Sequence, residues 1–308
     1  MERAHPLLPP GIHVFERGWL SSNNVLLVGA EHAALVDSGY ASHSDQTVAM
    51  VRSALEARPL QTLLNTHLHS DHCGGNAALQ SAYPDMQTLV PPGMAEAVRS
   101  WDDVALTYQP TGQTCPRFRL DGVAVPGTSV QLGQFDWEIH AAPGHDPNSV
   151  ILFEPASRTL ISADALWENG FGVVFPELEG VRAFDEVADT LDLIESLGAT
   201  VVVPGHGPLF TNVKDALESA RRRLAAYRQD PRRHAGHAAK VLLKFKLLDA
   251  QQMTLTAVTE WVETTPYFRL VHGRWFAEES FRGWISQLLH DLVRSRAAQF
   301  GTGMISNM

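Results

Sequence analysis

Four side chains able to bind a metal ion stand within six residues of one another. They are His67, His69, Asp71 and His72, in the run Thr66-His67-Leu68-His69-Ser70-Asp71-His72. Alternate residues of an extended segment point the same way, which puts His67 and His69 on one side and leaves Asp71 and His72 in the following turn, free to face a second ion. Neutral imidazoles and a carboxylate suit zinc at about 2.0–2.2 Å, and suit iron or manganese less selectively. Three more candidates each follow a strand-like run: His145 in Ala142-Pro143-Gly144-His145, Asp164 in Ser162-Ala163-Asp164, and His206 in Pro204-Gly205-His206-Gly207. Two dications ~3.5–4 Å apart share a water, lower its pKa towards neutrality and polarise a carbonyl or phosphoryl oxygen. In that chemistry Asp71 is the candidate catalytic residue, orienting the water and protonating the leaving group. No separate nucleophile is required, so Cys73 reads as a small buried spacer and Cys115 as structural.

The elements that must position these residues alternate short strands with helices. Val25–Val28 and Ala33–Val36 read as strands, the second ending at Asp37-Ser38-Gly39, and Asp45–Ala57 as a helix stopped before Pro59. Thr62–Leu64 is a short strand leading into His67. Further strands are expected at Thr88–Val90, Val130–Leu132, Asp136–Ala141, Ser149–Phe153, Thr159–Ser162 and Val201–Val203. Phe184, Val187, Leu191 and Ile194 mark one face of a helix over Ala183–Leu197, with Gly198 as its stop. Beyond residue 213 the pattern reads as almost wholly helical: Val213–Arg228, a segment around Ala238–Leu247, Thr256–Val262 and Glu278–Ala298.

With these residues in this order, the chain resembles the metallo-β-lactamase superfamily, whose signature is His-x-His-x-Asp-His. The resemblance covers about residues 10–213. It implies a four-layer αβ/βα sandwich of the α+β class, with metals at one edge between two mixed sheets. It implies that His67, His69 and His145 hold one ion, that Asp71, His72 and His206 hold the other, and that Asp164 bridges them. Two Zn2+ are the expected cofactors, with Fe or Mn as alternatives. Asp37 matches the family's strand-end Asp, which supports the ligand loop from behind. Flavodiiron-type carriers replace the second His of the motif by an acid, so His69 favours hydrolysis. β-Lactamases proper lack the bridging Asp, so Asp164 argues against antibiotic cleavage. Hydroxyacylglutathione hydrolases, lactonases and β-lactamase-like ribonucleases keep all seven ligands, and mononuclear persulfide dioxygenases keep part of the set with iron.

Substrate selection is expected in the insertions. Residues 91–120 hold Trp101 and Tyr108, and Trp167, Phe171 and Phe175 follow Asp164; together they are candidates for an aromatic pocket wall suited to an acyl chain or aryl ester.

The charge is split. The chain has 308 residues and a net charge of −10; residues 1–213 carry nine basic and 25 acidic side chains, whereas residues 214–308 carry 15 and nine. That reversal suggests a catalytic domain over 1–213 and a helical domain over 214–308, the latter similar to the winged-helix-like tail of β-lactamase-like thioesterases and endoribonucleases. Ten of the 24 basic residues lie between Lys214 and Lys246. Such a stripe either holds phosphates or packs on the acidic body, and packing is the commoner outcome. With 44% hydrophobic and 19% charged residues, disorder is excluded, and no apolar run reaches the ~18 residues of a membrane span. Two cysteines suggest a cytoplasmic protein. The reading is therefore a dinuclear hydrolase of a small ester-like substrate, thioester or lactone, attacked by a metal-bridging hydroxide. A metal-dependent ribonuclease or phosphodiesterase is the alternative, and a non-catalytic metal-binding scaffold the third. The oligomeric state is open, and a dimer is compatible with it.

Overall fold

Two β-sheets lie face to face in the computed structural model, which describes residues 7–308. The first sheet has the order β1 (Ile12–Phe15), β2 (Asn24–Val28), β3 (Ala33–Val36), β4 (Thr62–Leu64), β5 (Gln87–Val90) and β6 (Gly122–Val123). Its first three strands are antiparallel, and β3 through β6 run parallel. The second sheet runs β11 (Val201–Pro204), β10 (Thr159–Ala163), β9 (Val150–Glu154), β8 (Phe135–Ala141), β7 (Ser129–Leu132), parallel only between β10 and β11.

The period of two along each strand builds the layers. Val25 and Leu27 of β2 meet Trp137, Ile139 and Leu152 of the other sheet in the central core, while Leu26 between them faces outwards. On that outer face lie α1 (Ser44–Leu55) and α3 (Asn76–Ala82), which bury Val51, Leu55 and Leu79. The short α2 (Ser70–Cys73) precedes α3 and carries part of the ligand motif; α4 (Ala95–Ser100) and α5 (Tyr108–Thr111) belong to the 91–120 insertion. The second sheet is covered by α7 (Phe184–Leu197), reached through α6 (Phe175–Glu179), and by α8 (Val213–Gln229). This is the metallo-β-lactamase fold with a C-terminal helical region.

The division expected after residue 213 falls at the first residue of α8. Ala216, Leu217, Ala220 and Leu224 of α8 share a core with α7, and a separate C-terminal core begins with α9 (Pro231–Ala250). It is completed by α10 (Leu255–Thr264), α11 (Pro266–Trp275) and α12 (Phe281–Arg294), around Phe268, Trp284 and Leu243. Here the local pattern misses a sheet. β12 (Gln252–Thr254), β13 (Ala298–Phe300) and β14 (Met304–Asn307) form a small antiparallel sheet in the order β12-β14-β13. The helix expected to reach Ala298 ends at Arg294, because Arg296 adopts a left-handed backbone and the chain turns back as a hairpin. Strands of three or four residues show no usable alternation, and β12 finds β14 about fifty residues away. Among the described residues no helix is long and apolar enough to cross a membrane.

Candidate metal centre

The sheets bring the C-terminal ends of β3, β4, β8, β10 and β11 to one edge, and each leads to a residue of the site. Asp37 follows β3 directly, His67 comes three residues after β4, and His145 four after β8. Asp164 follows β10, and His206 comes two residues after β11. His69 immediately precedes α2, whose single turn carries Asp71 and His72. The close approach at this edge requires glycine at two ligands: a Cβ on Gly205 would stand 2.2 Å from Asp164 Oδ1, and one on Gly172 2.4 Å from His145 Nδ1.

The seven candidates converge. The donor atoms of His67, His69 and His145 lie within 4.8 Å of one another, as do those of Asp71, His72 and His206. A third triplet, His67, His72 and Asp164, links the two. Asp164 reaches both sides, with Oδ2 3.4 Å from His145 Nε2 and Oδ1 3.5 Å from His72 Nε2. Asp71 Oδ2 is 3.1 Å from His206 Nε2.

These side chains are held from behind. Asp37 Oδ1 accepts from the Thr66 amide at 2.9 Å, while its Oδ2 accepts from Thr66 Oγ1 at 2.8 Å and lies 2.7 Å from His72 Nδ1. His67 Nδ1 lies 3.1 Å from Thr66 Oγ1, and His145 Nδ1 is 2.6 Å from the Val173 carbonyl. Each of these three rings is thus tethered through Nδ1 and presents Nε2 to the centre, the arrangement metal-binding imidazoles adopt. Trp167 Nε1 donates to Asp164 Oδ1 at 3.1 Å.

The donor set fits a pair of cations on two counts. The Nε2 atoms of His67 and His72, both turned to the centre, are buried without a hydrogen-bond partner among the described residues, a cost that proteins rarely leave uncompensated. The charges point the same way. Burial holds His67 well below its ordinary value, and burial takes His69 and His145 down to about 4, so all three are neutral donors at pH 7. Burial pushes Asp164 up, yet His206 and His72 outweigh it and keep the carboxyl well below its usual range. Burial likewise pulls His72 down, but Asp37, Asp164 and Asp71 together hold it well above. Three carboxyl groups around one imidazole mark a place that calls for positive charge.

The model of the metallo-beta-lactamase superfamily matches residues 17–206. The chain belongs to the metallo-β-lactamase superfamily. It is similar to a hydroxyacylglutathione hydrolase of Anaeromyxobacter dehalogenans, 29% identical over 234 residues that cover 73% of this chain and 78% of that protein. It is also similar to the atrochrysone carboxyl ACP thioesterase of Aspergillus fumigatus, 21% identical over 280 residues, 90% of this chain and 76% of the thioesterase. A type A flavoprotein of Rhodobacter capsulatus is 25% identical over 243 residues, and the match spans only 53% of that longer protein. Among solved structures, a metallo-beta-lactamase family protein from Thermus thermophilus shares the fold along 97% of this chain and 99% of its own, with a TM-score of 0.57 and 17% identity.

A cavity of about 230 Å³ opens over this superfamily member's His/Asp cluster. Trp167 and Phe175 line it, the Phe175 ring standing 4.9 Å from that of His69. Trp101, Tyr108 and Phe171 do not. Trp101 and Tyr108 pack with Phe118 and Leu68 in a separate small core, where Tyr108 Oη lies 3.1 Å from Cys73 Sγ. Phe171 is buried beneath the loop, its ring facing Tyr227 of α8. Sequence reasoning missed Trp19, whose indole stacks 5.4 Å from His206, and the α9 residues His237, Val241, Leu242 and Phe245 that form the opposite wall. Trp19 sits in a loop before β2, and α9 begins 25 residues beyond the last ligand, His206; no local pattern connects either with the motif.

Proposed function

We propose that the chain is a dinuclear metal-dependent hydrolase of a small ester-like bond, a thioester or a lactone. The observation that carries this reading is the pair of linked His/Asp triplets beneath a cavity walled by Trp19, Trp167, Phe175 and the apolar face of α9. The names of two relatives support an acyl substrate, one a hydroxyacylglutathione hydrolase and the other an ACP thioesterase. Zinc is the metal proposed, because imidazoles and carboxylates are a donor set it accepts; iron and manganese are the alternatives.

In this reading His67, His69 and His145 hold one ion, and Asp71, His72 and His206 the other, with Asp164 between them. When bound, the pair supplies Lewis acidity at the substrate carbonyl and an acidified water. The chain's own residues do the rest. Asp71, kept ionised by His72 and His206 against the effect of burial, accepts the water proton at its carboxylate and delivers it to the leaving group. Trp167 fixes Asp164 through its indole N–H, and Phe175 and Trp19 keep bulk water from the reacting carbonyl. The ribonuclease alternative draws on the basic stripe. Arg221 and Arg228, however, are engaged with Asp192, Glu195 and Asp185 of the catalytic body, so the stripe is not an open row of cations.

Protein purified without chelator is expected to carry about two transition-metal ions per chain by elemental analysis. Asp71→Asn is expected to lower kcat on thioesters and lactones by about 10²–10⁴-fold. Fewer than about one ion per chain, or an Asp71→Asn variant with full turnover, overturns the proposal.

A further inference from the structure

The cavity wall holds a cation that no acidic side chain among the described residues neutralises. Arg221 lies 2.7 Å from both Asp192 and Glu195, Arg228 lies 2.6 Å from Asp185, and Arg232 is paired with Glu278 and Glu279. Arg223, one turn before Tyr227 on α8, lines the cavity and has no carboxylate partner among the described residues. Its Nη1 makes only long hydrogen bonds, to the carbonyls of Asn169 at 3.4 Å and Phe171 at 3.3 Å. The guanidinium lies 5.9 Å from the centre of the Tyr227 ring and passes close to Gly170, where a Cβ would stand 2.4 Å from Arg223 Nη1.

Facing the same space is His237 of α9, whose ring makes no hydrogen bond among the described residues. Burial, then Arg223 and Lys240, take its pKa down to about 4, so at neutral pH it is an uncharged ring with one N–H to give. The surrounding wall is apolar, formed by Val241, Leu242 and Phe245. A guanidinium is a planar fork suited to a carboxylate, and low-dielectric walls strengthen that attraction.

A second cavity, of about 280 Å³, also borders His69 and His145 on the other side of Phe175. Among the described residues it is lined by Asp146, Glu179 and Glu186 and by no Lys or Arg. Beyond the metal-ligand candidates, a substrate lying across the centre therefore meets the Arg223 guanidinium on one side and three carboxyl groups on the other. An anionic end is attracted to the first and repelled by the second.

We propose that Arg223 and His237 form a carboxylate subsite. The substrate carbonyl sits at the metal centre, and the acyl chain runs under α9 to a terminal carboxylate held by these two residues. The preferred substrate is thus the monothioester or monoester of a short dicarboxylic acid, its leaving group neutral or cationic in the acidic chamber. This rests on the hydrolase reading above for the reaction, and on the cavity alone for the anion.

Glutarate and valerate each offer one carboxylate to the metals, so their affinity ratio for the metal-loaded protein reports the second carboxylate. Calorimetry is expected to give glutarate at least about tenfold tighter binding than valerate. Arg223→Met should bring that ratio to near unity, Arg223→Lys should keep part of it, and His237→Phe should reduce it. In turnover, glutaryl thioesters should exceed valeryl thioesters in kcat/KM by a similar ratio, carried by KM. A carboxylate moved to the thiol leaving group should confer no advantage. Because Arg223 also touches the 169–171 backbone, thermal melts accompany each variant, and the Lys and Phe variants test the subsite should the Met variant fold poorly. A wild-type ratio near one, a ratio that survives in Arg223→Met, or a preference for the leaving-group carboxylate overturns the proposal. If the binding ratios behave as expected and no ester or thioester is cleaved, the subsite stands and the hydrolase reading falls.

Discussion

Asp37 shows how much a single side chain contributes to the centre. Its carboxylate ties the backbone and hydroxyl of Thr66 to the ring of His72, and its own backbone is left-handed, with φ 58°. Asp37→Asn keeps the shape but turns one acceptor oxygen into an NH2 that faces donors. The expected outcome is a loss of metal affinity of about 10–100-fold, measured by competition with a chromophoric chelator. An Asp37→Asn variant with unchanged affinity would show that the Thr66–His67 turn holds itself. A supporting role for Asp37 was implied by its match to the family's strand-end Asp. Its contact with His72 was not, since that bond spans 35 residues and depends on how β3 and α2 pack.

At the scale of elements, α9 does two things that no helical periodicity announces. One face of it closes the cavity, and His234 in its first turn accepts a hydrogen bond at Nε2 from the Val174 amide, at 3.1 Å. The neighbouring Val173 carbonyl is the partner of His145, so α9 supports the segment that orients a candidate ligand. The bond requires a neutral ring, and burial, with His237 and Arg223, takes the pKa of His234 from 6.5 to about 3. In the unfolded chain the same ring binds a proton below about 6.5. The folded state therefore has its full stability above that pH and loses it as pH falls from about 6.5 towards 3. His234→Gln retains an acceptor and does not titrate. Urea denaturation across this window should show its stability declining less steeply than wild type, by up to about 1.4 kcal/mol per pH unit. Identical slopes would show that the ring is already protonated in the fold.

For the molecule as a whole, the charge reversal between its two regions is met by contacts across them, yet those contacts are not what joins them. The pairs of Arg221 and Arg228 are exposed, and exposed pairs contribute about 0–1 kcal/mol each. The C-terminal core, by contrast, takes in Val173 and Leu178 from the sandwich beside Phe268, Val271 and Trp284. Phe268→Ala is expected to destabilise by about 3–5 kcal/mol. Arg221→Ala is expected to cost less than about 1 kcal/mol. Denaturant unfolding of the two variants checks both, and a larger loss for Arg221→Ala would make the junction electrostatic.

What the amino-acid sequence determined by itself is the chemistry and most of the frame: the His-x-His-x-Asp-His run, the glycines beside His145 and His206, the strand ends that carry Asp37 and Asp164, and the alternating elements that deliver them. Each is written in residues adjacent in the chain, where spacing and periodicity translate directly into geometry. Only the tertiary structure decided what surrounds that chemistry. Trp101, Tyr108 and Phe171 satisfy their apolar surface in cores of their own, while Trp19, Arg223 and the inner face of α9 come from three remote segments to form the wall. An aromatic ring or a guanidinium carries no local sign of which surface it will meet. That is settled when distant elements bury their apolar faces against one another, and the space left between them becomes the cavity over the His/Asp cluster.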